Sequence, residues 1–84
     1  MFKELLEGNE WSVMQLSNVL IEEGCEDICD FGNWEELLND GNVVVATDEN
    51  REELIQVFFD VIIKAEEDEV IEASIIRIND VIEF

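Results

Sequence analysis

Apolar side chains recur three or four residues apart over three stretches of the chain, which is the spacing of amphipathic helices. The first helix is predicted over 12–23, where Ser12 and Gln15 form a Ser-x-x-Gln capping box at its start. A short helix is predicted over 34–40, and a long one over 48–65. The apolar positions of the long helix are Leu54, Ile55, Phe58, Phe59, Ile62 and Ile63.

Two further segments have the composition of strands. Residues 43–46 are short, β-branched and apolar on both faces, which favours a buried central strand. Residues 70–78 form the second strand, and a long helix between two strands predicts a right-handed crossover. Because a two-stranded sheet is marginal, we expect a third strand, either 25–31 or the C-terminal tail.

The expected fold is α+β, or a small α/β domain, with three to four helices and a sheet of two or three strands. Gly8, Gly24 and Gly41 lie where predicted helices end, and each suits a left-handed C-cap. No proline, low-complexity linker or internal repeat divides the sequence. We therefore expect one acidic globular domain over 1–84.

Charge changes this picture most. The 84 residues include 23 Asp and Glu against four Lys and Arg, with no His, which gives a net charge of −19. No base occurs over 4–50, a run of 47 residues that holds 13 carboxylates. Such a surface repels nucleic acid and anionic membranes and attracts strongly basic proteins.

The charge invites comparison with DNA. Nineteen charges correspond to ~32 Å of duplex at one charge per ~1.7 Å of axis, and a globule of this length is about 30 Å across. Spread evenly, the charge would still fall more than twofold short of DNA per unit area, so mimicry requires clustering. We expect one face, without any base, to gather Glu22, Glu23, Glu26, Asp27, Asp30, Glu35 and Glu36.

Several kinds of chemistry find no support in the sequence. Without His, Ser/His and Cys/His nucleophile arrangements are impossible within this chain. Cys25 and Cys29 lack the two further ligands that zinc needs, and we expect both thiols to be reduced. A calcium-loop pattern begins at Asp48, but Glu53 stands where the loop needs glycine. We expect no catalysis, cofactor or metal.

The acidic clusters remain as the candidate binding residues. Trp11 and Trp34 are expected to be buried, as in most small domains. No signal peptide or membrane-length apolar run is present, so we expect a cytoplasmic protein. The predicted partner-binding residues are Glu22, Glu23, Glu26, Asp27, Asp30, Glu35, Glu36, Asp40, Glu49 and Glu53.

In size, charge and lack of His, the chain resembles the small acidic phage-encoded inhibitors called DNA mimics, which include anti-CRISPR and anti-restriction proteins. That resemblance implies a non-catalytic inhibitor of a basic nucleic-acid-binding enzyme, acting in the host cytoplasm without binding nucleic acid itself. The predicted order of elements, 34–40, 43–46, 48–65 and 70–78, also resembles barstar-like nuclease immunity proteins. The alternatives are therefore an immunity protein or antitoxin, or an acidic structural or regulatory domain without a basic partner. The oligomeric state stays open.

Overall fold

The computed structural model describes all 84 residues, and its centre is a four-stranded antiparallel sheet. The strands are β1 (Glu10–Ser12), β2 (Asn42–Ala46), β3 (Leu54–Ile63) and β4 (Ile75–Glu83), in the spatial order β1-β4-β3-β2. The α-helices are α1 (Phe2–Leu6), α2 (Val13–Glu22) and α3 (Trp34–Asp40). Short 3₁₀ helices occupy Ile28–Phe31 and Ile71–Ala73. The prediction of an α+β fold is confirmed, but the sheet has four strands instead of two or three.

One face of the sheet carries the hydrophobic core. Alternate residues of β3, namely Ile55, Val57 and Phe59, are buried together with apolar side chains from all three α-helices. On the opposite face, which we call the open face, Val44 and Ile82 remain 44% and 41% exposed. Both residues flank Gln56 in the ladder, so they share its face. Burial therefore alternates along the strands, as expected of a half-covered antiparallel sheet.

Trp34 anchors α3 to this core. Its side chain is 1% exposed, and the indole Nε1–H donates a hydrogen bond of 2.7 Å to the carbonyl of Ile28. Its ring lies 6.3 Å from that of Phe59 on β3. Trp11 is partly buried against the same cluster. The expectation of buried tryptophans is confirmed for Trp34 and holds in part for Trp11.

The first two predicted helices are confirmed. Both hydrogen bonds of the Ser12–Gln15 capping box are present at the start of α2, at 3.1 and 2.9 Å. Asn33 precedes α3 but makes no side-chain capping bond. Gly24 and Gly41 have φ of +87° and +75°, which agrees with the predicted left-handed helix ends.

The predicted long helix over 48–65 is wrong. Residues 54–63 form β3, which pairs directly with β2, so the expected crossover is also absent. The segment is rich in β-branched and aromatic residues, which favour a strand. Apolar side chains also lie on its open face, as does half-buried Phe58. With apolar residues on both faces, the segment shows the three- and four-residue spacing of a helix as well as the alternation of a strand.

The other strand predictions need correction too. The segment 25–31 is not a strand, because Asp27 caps a 3₁₀ helix that Gly32 ends. Of the predicted strand 70–78, the first part forms the second 3₁₀ helix, and β4 continues through the C-terminal tail. The segment 43–46 does form a strand, but β2 lies at an edge of the sheet and not at its centre.

Candidate functional site

Every basic side chain of the protein forms an ion pair with a carboxylate. Lys3 contacts Asp80 at 2.9 Å, and Lys64 contacts Glu35 at 3.1 Å. The remaining pairs are Lys3 with Glu7, Arg51 with Glu26, Arg77 with Glu10, and the N-terminal amine with Glu4 and Glu83. Seven of the 23 side-chain carboxylates are used in this way, which leaves 16 without an ion pair.

Many of these carboxylates line a series of adjacent surface grooves that share lining residues. One groove contains Glu26, Asp48 and Glu49, and it shares Glu26 with a second groove beside β2. The second groove shares Asp40 with a third, which also contains Asp60. Lys64 joins the third groove to a fourth. The nine carboxylates along this path, which we call the acidic band, are Glu26, Glu35, Asp40, Asp48, Glu49, Asp60, Glu66, Glu67 and Glu69.

The band contains two cations, Arg51 and Lys64, and both are already paired with band carboxylates. Nine carboxylates against two cations leave the band with a net charge of −7. The predicted gathering of seven carboxylates on one base-free face is therefore wrong. Only Glu26 and Glu35 of the seven lie in the band, and each of them is paired with a base. The band nevertheless has seven more carboxylates than cations, so it can accept cationic groups from another molecule.

Four of the ten predicted binding residues lie in the band: Glu26, Glu35, Asp40 and Glu49. The other six line none of its grooves. Glu22 and Glu23 are exposed at the end of α2, and Glu36 is exposed in the first turn of α3. Glu53 lies just before β3 and donates its amide N–H to Asp48. The band also contains Asp48, Asp60, Glu66, Glu67 and Glu69, which were not among the ten predicted residues.

Asp27 and Asp30 belong to a separate cluster. Asp27 is half-buried, and its Oδ1 accepts hydrogen bonds from the Ser17 hydroxyl at 2.7 Å and the Cys29 amide at 2.9 Å. These bonds cap the first 3₁₀ helix, so Asp27 has a structural role. Asp27, Asp30 and Glu72 all lie close enough to Cys29 to act on its thiol electrostatically.

Glu26 lies where the band meets the end of β2. Its amide donates a hydrogen bond of 3.1 Å to the carbonyl of Ala46, the last residue of that strand. Its side chain is only 17% exposed, and Oε2 accepts the ion pair from Arg51. Oε1 is buried without a hydrogen-bond partner.

The two cysteines are free thiols. Burial raises the pKa of both Cys25 and Cys29, and neighbouring carboxylates raise it further. Neutral thiols are weak nucleophiles, so neither group suits covalent catalysis at neutral pH. No three Cys, Asp or Glu side chains come together in a way that would hold a metal ion. The helices are all too short or too polar to cross a bilayer.

Comparison with known proteins assigns no function to this surface. Neither a protein-family model, a curated protein nor a solved structure matches the chain. The function is therefore argued from charge and geometry alone.

Proposed function

We propose that the protein is a non-catalytic acidic inhibitor that mimics DNA and blocks the basic nucleic-acid groove of a DNA-handling enzyme. The target class is a CRISPR effector or a restriction nuclease. The observation that carries the proposal is the acidic band, in which nine carboxylates line adjacent grooves while both local cations are already paired.

Charge density explains why the band matters more than the total charge. The accessible surface of 5075 Å², shared among 19 net charges, gives roughly 270 Å² per charge, whereas duplex DNA has one per roughly 110 Å². A partner that binds DNA would therefore discriminate against an evenly charged globule. Mimicry by this protein therefore requires a local concentration of carboxylates, and the band is the surface that we propose for it.

Single exposed ion pairs contribute only ~0–1 kcal/mol, so such an interface needs many of them at once. Seven of the nine band carboxylates have no ion pair and offer several such contacts on one surface. The likeness to barstar-like proteins relied on an order of elements that included a long helix over 48–65, and Leu54–Ile63 of that segment form β3. The inhibitor of a DNA-handling enzyme is therefore the function that we carry forward.

Two charge-reversal pairs test the proposal. In the band pair, Asp40→Lys is combined with Glu49→Lys, and both native side chains are exposed and lack ion pairs. In the control pair, Glu22→Lys is combined with Glu23→Lys at the end of α2, where both native side chains are likewise exposed, lack ion pairs and line none of the grooves. Each pair adds four units of charge, so a nonspecific charge effect would weaken both proteins equally.

The assay measures displacement of labelled duplex from a panel of purified restriction nucleases and CRISPR effector complexes. We expect native protein to displace DNA from at least one target. The band pair should weaken displacement at least about tenfold, because like charges then face the target's basic residues, and the control pair less than about threefold. Equal losses from both pairs, or no displacement from any target, would contradict the proposal.

A further inference from the structure

The edge of β2 that faces away from β3 has backbone groups free for pairing. Phe59 donates its amide to the carbonyl of Gly41, and Thr47 donates its amide to the carbonyl of Glu53. These bonds show that the odd-numbered residues of β2 are the ones whose backbone groups form hydrogen bonds with β3. Because hydrogen bonding alternates along an antiparallel pair, Val44 directs its N–H and C=O outward. The carbonyl of Ala46 confirms this alternation, since it accepts the amide of Glu26 from outside the sheet.

A groove of about 390 Å³ runs beside this edge. Phe31 and Leu37 give it an apolar wall, and exposed Val44 lies on the strand side. Its two carboxylates are Asp40, which has no ion pair, and Glu26, which is paired with Arg51 in the same groove. The groove thus combines apolar contacts, free backbone groups and one carboxylate, Asp40, that no base neutralises.

Natural sheets usually protect such edges with lysine, proline, a bulge or a covering segment. The sequence of β2, Asn42 to Ala46, contains no charge and no proline, and its pairing with β3 has no register shift. Only the Ala46 end is covered, by Glu26. The middle of the strand, at Val44, is therefore open to another chain.

We propose that β2 adds an extended basic segment of the target protein as a fifth strand. The basic character rests on the proposed function, on the unpaired carboxylate of Asp40 in the groove and on the net charge of −19. A second copy of this chain fits less well, because it would bring another net charge of −19 to the same edge. The segment would pair with the backbone at Val44 and place lysine or arginine near the groove carboxylates.

Val44→Pro tests the backbone pairing, because proline removes the outward N–H without removing a bond to β3. Val44→Thr is the matched control, since threonine keeps the N–H and the β-branched shape. The probe is a fluorescent peptide of alternating lysine and valine, and a second peptide has every backbone nitrogen methylated, so that neither of its edges can donate. We expect Val44→Pro to weaken binding at least about tenfold and Val44→Thr less than about threefold. The methylated peptide should bind native protein at least about tenfold more weakly.

Equal binding of both peptides to native protein would overturn strand addition even if Val44→Pro failed to fold. Absence of saturable binding at ~1 mM peptide would overturn it as well. If the native protein instead binds tightly to itself and Val44→Pro does not, the occupant of this edge is a second copy of the chain and not a basic segment. The band charge-reversal pair distinguishes this inference from the proposed function. If DNA displacement is lost in that pair but kept in Val44→Pro, strand addition is contradicted and the proposed function is not.

Discussion

Gly41 joins α3 to β2 through a backbone conformation that few residues adopt. Its φ is +75°, its amide donates a bond of 2.9 Å to the carbonyl of Leu37, and its carbonyl accepts one of 2.9 Å from Phe59. The first bond ends the helix and the second begins the ladder with β3. One glycine thus fixes the position of the sheet edge relative to Asp40, the last residue of α3.

Gly41→Ala should destabilise the protein more than Gly24→Ala. Both glycines have positive φ, which costs a side chain roughly 1–2 kcal/mol. At Gly41 the new Cβ would also lie 3.3 Å from the carbonyl oxygen of Phe59, whereas at Gly24 it meets nothing within 4 Å. We expect losses of about 2–3 kcal/mol and about 1 kcal/mol respectively, measured by urea unfolding. Equal losses would show that the contact with Phe59 is relieved without cost.

At the scale of single elements, the local signals were the reliable ones. The capping box at Ser12 and the left-handed ends at Gly24 and Gly41 depend on residues close in sequence, and the structure has both. The segment that became β3 depends on its neighbours, because β2 and β4 supply its hydrogen bonds from elsewhere in the chain. Its two apolar faces concealed the alternation of a strand.

Two capping substitutions compare α2 with α3. Ser12→Ala removes the Oγ that accepts the amide of Gln15, so the free energy of unfolding should fall by about 1 kcal/mol. Asn33→Ala removes no side-chain capping bond and should cost less than about 0.5 kcal/mol. Thermal and urea denaturation of the two variants measure the difference. An equal or larger cost at Asn33 would contradict the assignment of caps.

The candidate site was predictable in composition but not in arrangement. Total charge follows from the sequence, and four of the predicted carboxylates do lie in the band. The positions of Arg51 and Lys64 were not predictable, because each pairs with a carboxylate at least 25 residues away along the chain. The free edge at Val44 was also missed, since a run of valines looks the same in a central strand and an edge strand.

Across the whole molecule, the charge acts against the stability of the fold. A net charge of −19 within principal dimensions of 36 × 23 × 21 Å produces self-repulsion that four bases and an amine offset only in part. A basic partner would relieve this repulsion on binding. The same long-range attraction would speed association at low salt and weaken as salt rises, since the screening length is about 10 Å at 0.1 M.

The most direct test of DNA mimicry asks whether one target molecule can hold this protein and a DNA duplex together. Light scattering or mass photometry of the target with both ligands would count the complexes. We predict target–protein and target–DNA complexes without a ternary complex, and an apparent Kd for DNA that rises in proportion to the concentration of the protein. A ternary complex in which the target keeps its full affinity for each ligand would contradict the account.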